Sequence, residues 1–205
     1  FMLDPLNGLK AAALIRDKLS SLRPGAARDV GARFDAFRAR LGEKLVGKEL
    51  AEKYKTEFEK LALLAETGKL ADFLKTSGQE GALGGWLGRL TPHRGVKAVG
   101  DHPMWMYFGD RFGIEVVGHL EPLPGITPTT RHLGKLVEEM KQKQAKLVLV
   151  SAYYDPKHAQ VVAQATGAKV LLMANQAGGR PGTEDFLAMT DYNVGQVATA
   201  LGGGR

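Results

Sequence analysis

Residues 96–117 decide the fold. Val96-Lys97-Ala98-Val99 is a short apolar run, about Pro103–Phe112 is an amphipathic helical pattern, and Ile114-Glu115-Val116-Val117 is apolar again. Two strand-length runs separated by a helix-length segment make a βαβ unit with parallel strands. The pattern then repeats. Leu147-Val148-Leu149-Val150 and Val170-Leu171-Leu172-Met173 read as two more strands, with helical patterns at about Thr129–Lys143, Pro156–Thr166 and Thr183–Leu201. Gly167-Ala168-Lys169 is a helix stop that leads into a strand. Near-continuous apolar strands belong to a sheet buried on both faces. The expected fold class is therefore α/β, with a four-stranded parallel sheet flanked by helices in residues 91–205. The glycine-rich tail ending in Arg205 is expected to fray.

Upstream of this unit the pattern is helical to about Leu74. Asp4 is placed to cap a helix whose first residue is Pro5, and Leu9, Ala12, Ala13, Ile15, Leu19 and Leu22 recur at three- and four-residue steps until Arg23-Pro24-Gly25. A second long helix is predicted from Ala26 towards Leu45, with Val30, Phe34, Phe37 and Leu41 as its apolar stripe. Lys48 to Lys60 is charged, with Glu/Lys pairs at helical spacing, and reads as an exposed helix. Gly78 to Gly88 carries five glycines around Leu83 and Trp86 and reads as a loop or turn-rich connection.

Composition narrows the function classes. The 205 residues are 44% hydrophobic and 24% charged, enough apolar material for a core. The absence of cysteine excludes a disulfide scaffold, an iron–sulfur cluster, a thiolate zinc site and a cysteine nucleophile. The net charge of +6 is diffuse: 16 basic and 12 acidic residues precede residue 91, and 12 and 10 follow. Arg28, Arg33, Arg38 and Arg40 scatter around their helix, so nothing forms the one-sided basic face that nucleic acid requires. No stretch reaches the roughly 18 apolar residues of a membrane span. The opening Phe1-Met2-Leu3-Asp4-Pro5 reads as the end of a connection, so the chain is expected to be a fragment with any targeting segment upstream.

In a parallel sheet, ligands sit beyond the carboxyl ends of the strands. That singles out Gly100-Asp101-His102, His119-Leu120-Glu121-Pro122, the loop from Ser151 to Asp155, and the loop from Ala174 to Gly179. His102, just before a helix start, is a post for a metal ligand or proton-transfer group, and equally for a histidine that packs the helix entrance. Asp155 before Pro156 suits an N-cap. Tyr153 and Tyr154 suit either a pocket wall or a packing surface. Glu121-Pro122-Leu123-Pro124-Gly125 reads as a shaped linker, while His93, His132 and His158 read as structural or solvated. Gly178-Gly179-Arg180-Pro181-Gly182 lacks the Lys-Ser/Thr of a phosphate loop and the spacing of a dinucleotide fingerprint. No catalytic motif appears, and the chain reads as a non-enzyme.

These segments, in this order, resemble the zinc and manganese solute receptors of bacterial ABC importers, the cluster A-I family. Met2-Leu3-Asp4-Pro5-Leu6-Asn7 is similar to that family's "W-L-D-P-x-N" segment. Asp101-His102 ahead of Trp105-Met106-Tyr107-Phe108 is similar to "Y-H-x-x-(F/W)-x-Y-F". Phe112 to Gly118 and Glu121 to Thr129 follow its "G-L-E-V-V-G…E-P-x-P-G-x-x-P-(S/T)" run, and Gly167-Ala168-Lys169-Val170 and Asp191-Tyr192-Asn193 complete the match.

The resemblance implies a two-lobed extracytoplasmic or periplasmic receptor that delivers a divalent metal, zinc or manganese, to an ABC permease. It implies that 1–24 is a helix of the amino-terminal lobe, 25–90 the interlobe linking helix with a helical insertion, and 91–205 the carboxyl-terminal α/β lobe. His102 matches the carboxyl-lobe metal ligand, and the other histidine ligands would fall ahead of Phe1. The family's aspartate after the last strand is replaced by Ala174, and its Glu-Pro-x-(F/Y) loop by Ser151-Ala152-Tyr153-Tyr154, which leaves Asp155 as the neighbouring substitute carboxylate. The 205 residues by themselves are expected to bind zinc weakly or not at all, an expectation that sub-micromolar binding in a calorimetric titration would refute. The alternative is a receptor-fold protein that has lost metal binding and serves as an adhesin or interaction module.

Overall fold

The computed structural model describes residues 1–123 and 125–202. They fall into two compact units, Phe1–Arg89 and Leu90–Arg205. Among the described residues no helix is long and apolar enough to cross a membrane.

The first unit is helical. In α1 (Pro5–Leu22), Asp4 Oδ1 accepts the Leu6 N–H at 2.9 Å and Pro5 takes the first turn, as the sequence predicts. Helix α2 (Ala27–Val46) follows and packs along α1, with the Arg16 guanidinium 4.3 Å above the Phe34 ring. The expected single exposed helix over 48–60 is instead α3 (Lys48–Tyr54) and α4 (Phe58–Glu66), broken at Lys55, whose φ is +43°. The charge pattern is real, but Leu50, Phe58, Leu61, Ala62 and Ala65 all need burial, and burial decides the path. Arg38 of α2 holds the turn, donating to the Thr56 carbonyl and to both Glu59 carboxylate oxygens at 2.7–3.0 Å. After α5 (Leu70–Thr76), part of the expected loop over 78–88 closes into α6 (Gly85–Leu90), which buries Trp86, Leu87 and Leu90. Gly85 there has φ +60°, and a Cβ on it would strike the Lys44 carbonyl. These glycines serve close backbone packing.

The second unit is the expected α/β layer structure. Strands β1 (Val96–Gly100), β2 (Ile114–His119), β3 (Leu147–Val150) and β4 (Lys169–Leu172) form one parallel sheet in the order β2-β1-β3-β4. Val96 pairs with Ile114, Ala98 with Leu147, and Leu147 with Lys169. Helices α7 (Met106–Phe112), α8 (Thr130–Lys143), α9 (Lys157–Thr166) and α10 (Phe186–Ala200) make the crossovers and the closing helix. The strand limits differ from the sequence reading by one or two residues; β2 runs on to His119, which becomes important for the site. β3 is buried along its whole length, as a central parallel strand should be. Val148 and Val150 join Val99, Leu120, Leu133, Leu136, Met140, Ala159 and Val162 in a common core. Gly113 and Gly167 end α7 and α9 in the left-handed conformation that a C-cap favours.

Helix α7 lies so close to β2 that a methyl group on Gly109 would run into the Ile114 carbonyl oxygen. Gly109→Ala should destabilise the chain by about 1–3 kcal/mol, read as a lower urea midpoint with an unchanged slope.

Candidate metal-binding edge of the sheet

The carboxyl ends of the strands gather around one buried side chain. Asp101, directly after β1, is fully inaccessible to solvent. Its Oδ1 accepts the His102 backbone N–H at 2.8 Å and the Trp105 indole N–H at 2.6 Å. Its Oδ2 accepts the Ser151 N–H at 2.7 Å and the Ser151 hydroxyl. Four donors replace the water this carboxylate loses on burial. They also tie the end of β1 to the end of β3 and to the turn that opens α7.

His102 emerges from this post in an extended conformation. Its ring is paired with Glu121, Nδ1 lying 3.1 Å from Oε2, and the two side chains are only 16% and 11% exposed. The same Glu121 oxygen also accepts the Gly125 N–H at 2.8 Å, which helps to fix the carboxylate. The Tyr153 and Tyr154 rings stand 6.2 and 5.8 Å from the imidazole, centroid to centroid. Tyr154 is half-buried against the core, and its phenol pKa is raised, first by burial and then by the charges of Glu121, Asp101 and Asp155. It remains a neutral hydroxyl at physiological pH.

Asp155 is exposed, and its Oδ1 accepts the Lys157 N–H at 2.9 Å. It thus starts α9 from one residue earlier than a standard cap, with Pro156 in the cap position. His119, the last residue of β2, has a buried Nε2 without a hydrogen-bond partner, and its carbonyl lies 3.1 Å from His132 Nε2. Its pKa is lowered by burial, partly opposed by the Asp101 charge and reinforced by His102.

The connection after β4 is built differently. Asn193 of α10, 1% exposed, clamps Ala174 by accepting its N–H at 2.8 Å and donating to its carbonyl at 2.7 Å. Tyr192 donates to the Leu172 carbonyl at 2.9 Å. The Asp191-Tyr192-Asn193 signature therefore does structural work, holding the end of β4. Beyond it, the buried Thr183 hydroxyl bonds both the N–H and the carbonyl of Arg180, and Arg180 Nη2 reaches the Ser151 carbonyl at 3.3 Å.

Of the residues predicted from sequence, His102 and the two tyrosines come together, and Asp155 lies near enough for its charge to act on the Tyr154 phenol. Asp101 turns out to be the scaffold of the site. The residues that the sequence reading passed over are Glu121, taken as part of a stiff linker, and Arg180, set aside with its glycine loop. Register could have found Glu121: Gly100 pairs with His119 across parallel strands, so the residues two further on, His102 and Glu121, emerge side by side. Among the described residues, no three His, Cys, Asp or Glu side chains form a group able to hold a metal.

Two outcomes test this geometry in metal-free buffer. Asp101→Asn would turn an amide NH2 towards two donors and should cost about 3 kcal/mol of stability, measured by urea unfolding. His119 binds protons less readily folded than unfolded. Its stabilising contribution is therefore present above the unfolded pKa of 6.5 and lost as pH falls from there to the lower folded value. A His119→Gln variant should lose less stability than the wild type between about pH 7 and pH 5.

Residues 87–200, more than half of the chain, match the family described as ZnuA, zinc-uptake complex component A periplasmic. Among solved structures, the chain is similar to the solute-binding protein FpvC of Pseudomonas aeruginosa in complex with Mn2+, with 17% identity, a TM-score of 0.64, and 98% of this chain against 59% of that one covered. It is similar to ZnuA at 19% identity and a TM-score of 0.63, covering 96% of this chain and 59% of the other. A Cd-bound periplasmic metal-binding protein of Candidatus Liberibacter asiaticus aligns at 14% identity and a TM-score of 0.62, covering 98% and 62%. The chain thus spans about three fifths of the length of these structures. Comparison with curated protein sequences gives no match. At such identities the structures establish the shared fold, and the family match, which covers the whole sheet and the His102–Glu121 edge, settles membership: the chain belongs to the ZnuA family.

Proposed function

We propose that the chain is part of an extracytoplasmic solute receptor that hands a divalent transition metal, zinc in the first place, to an ABC permease. The observation that carries this reading is the His102–Glu121 pair at 3.1 Å. A metal-binding histidine commonly donates its second ring N–H to a carboxylate, which fixes the tautomer and strengthens the other nitrogen as a ligand. With Nδ1 on Glu121, Nε2 of His102 is the ligating atom. A borderline-soft imidazole donor suits zinc better than manganese, and for a given site of this kind zinc also binds more tightly than manganese. Asp155 is the neighbouring carboxylate; one oxygen caps Lys157, and the group carries charge towards the same edge.

A zinc site takes about four N or O ligands. His102 and Asp155 supply two at most, so the remaining ligands belong to parts of the receptor outside these 205 residues. In this reading the metal is cargo: no bond is made or broken, and affinity comes from ligand geometry alone.

A second reading has its own observation. Ala174 stands where the resemblance places a carboxylate. That favours a receptor fold that has lost its metal and serves as an interaction module.

Titration with zinc chloride, followed by NMR of the histidine ring signals of the 205-residue chain, separates the two. The metal reading expects weak, saturable binding that perturbs His102 through Nε2, disappears in His102→Ala and weakens about 10- to 100-fold in Glu121→Gln. Manganese chloride should bind more weakly than zinc. If zinc leaves the His102 ring unmoved at millimolar concentration, the interaction-module reading takes its place.

A further inference from the structure

The connection after β4 brings an arginine, Arg180, to the end of β3. Arg180 is permanently charged and has five N–H donors. Of these, the structure shows one used, by Nη2 on the Ser151 carbonyl at 3.3 Å, while Nε is buried with no partner. Among the described residues no carboxylate pairs with it. The nearby Glu184 is committed elsewhere, accepting the Gly182 N–H at 2.9 Å. The backbone that presents this arginine is held firmly, since the Thr183 hydroxyl grips both its N–H and its carbonyl, and the Gly178 N–H bonds the Thr183 carbonyl at 2.5 Å. On the same connection Asn175 Oδ1 is also buried without a partner.

The arginine is joined to the His102 edge by named contacts. Its partner Ser151 donates twice to Asp101, and Asp101 in turn accepts the His102 N–H, so Arg180 and His102 are linked through one buried carboxylate. The connections after β3 and β4 abut there: a Cβ on Gly179 would touch the Ala152 Cβ at 3.5 Å. Tyr153, 63% exposed, offers an aromatic face beside the imidazole. A bare dication gains nothing from an unneutralised guanidinium. A planar carboxylate fits one well, by paired N–H···O bonds.

We propose that Arg180 is an anion-recognising residue and that this edge takes its metal as a chelate of a small polycarboxylate. The metal half of the inference rests on the function proposed above; the anion half does not. In the chelate, one carboxylate pairs with the Arg180 guanidinium while the metal retains a coordination position for His102 Nε2.

The test is an NMR titration of the 205-residue chain that follows the Arg180 Nε–H signal, assigned by its loss in Arg180→Lys, together with the His102 ring. The additions are sodium citrate, sodium chloride at matched ionic strength, zinc chloride, and zinc citrate. The inference expects citrate to move the Arg180 signal saturably where chloride does not, and zinc citrate to move both Arg180 and His102. The citrate dissociation constant, followed on backbone amides of residues 175–182, should rise about tenfold in Arg180→Ala and by less in Arg180→Lys, both variants keeping the wild-type amide spectrum elsewhere. Citrate moving Arg180 no more than chloride does overturns the inference, whatever zinc does. Citrate moving Arg180 while neither zinc salt moves His102 supports the anion site and overturns the chelate, and with it the metal reading.

Discussion

The frame around His102 depends on a carboxylate that never meets solvent. Taking a carboxylate out of water costs far more than a single hydrogen bond returns. Asp101 is tolerated because four donors converge on it: two backbone N–H groups, an indole N–H and a hydroxyl. The three residues that supply these donors serve different structural tasks. The His102 N–H sets the turn out of β1, Trp105 anchors the entrance to α7, and Ser151 ends β3. One side chain thereby couples two adjacent strands and one helix, and the extended backbone of His102 follows from it. The aspartate adjoins the ligand-type histidine in sequence, but all of its acceptor capacity is spent on the frame.

The α/β unit was legible because its signals are of two clearly different periods. Strands such as Leu147–Val150 are wholly apolar, and the segments between them repeat at helical spacing, so little else fits. The helical first unit was legible only where one face dominates, as in α1 and α2. From Lys48 to Lys60 the sequence carries two messages, exposed Glu/Lys pairs and the buried series Leu50, Phe58 and Leu61. The apolar series prevails because burying each of those side chains is worth roughly 1.5–3 kcal/mol, whereas an exposed helical ion pair is worth about 0.3–0.5. Gly78 to Gly88 misled for another reason: glycine marks flexible turns and tight backbone contacts alike, and Gly47 meeting Gly84, with Gly85 against Lys44, belongs to the second kind.

At the site, position along the chain was enough to mark His102 and the tyrosines, but it could not say what each would face. That is set by pairing register and by connections that fold back. The Gly100–His119 register makes neighbours of two residues 19 apart in sequence, and the Thr183 clamp carries Arg180 back to the end of β3. Neither contact has a local signature. A parallel sheet makes the first of them computable once strand limits are known, since equal offsets beyond paired residues stay adjacent. The irregular loop behind the second offers no such rule.

Three carboxylates lie around this one edge, and their surroundings give each a different task. Asp101 is saturated by four donors and has become framework. Asp155 is solvated, with one oxygen on a helix N-terminus, and its charge reaches inward only far enough to raise the Tyr154 phenol. Glu121 is intermediate: largely buried, held by one backbone N–H, and turned on an imidazole. Only this intermediate case can orient a histidine. A fully bonded carboxylate has no acceptor left to offer, and an exposed one is screened and mobile. The sheet produces that balance by ending β2 at His119, two residues short of Glu121, so that the side chain leaves the core without leaving the protein. The task of each acidic group at this edge thus depends on how far it is withdrawn from water, more than on how many of them there are.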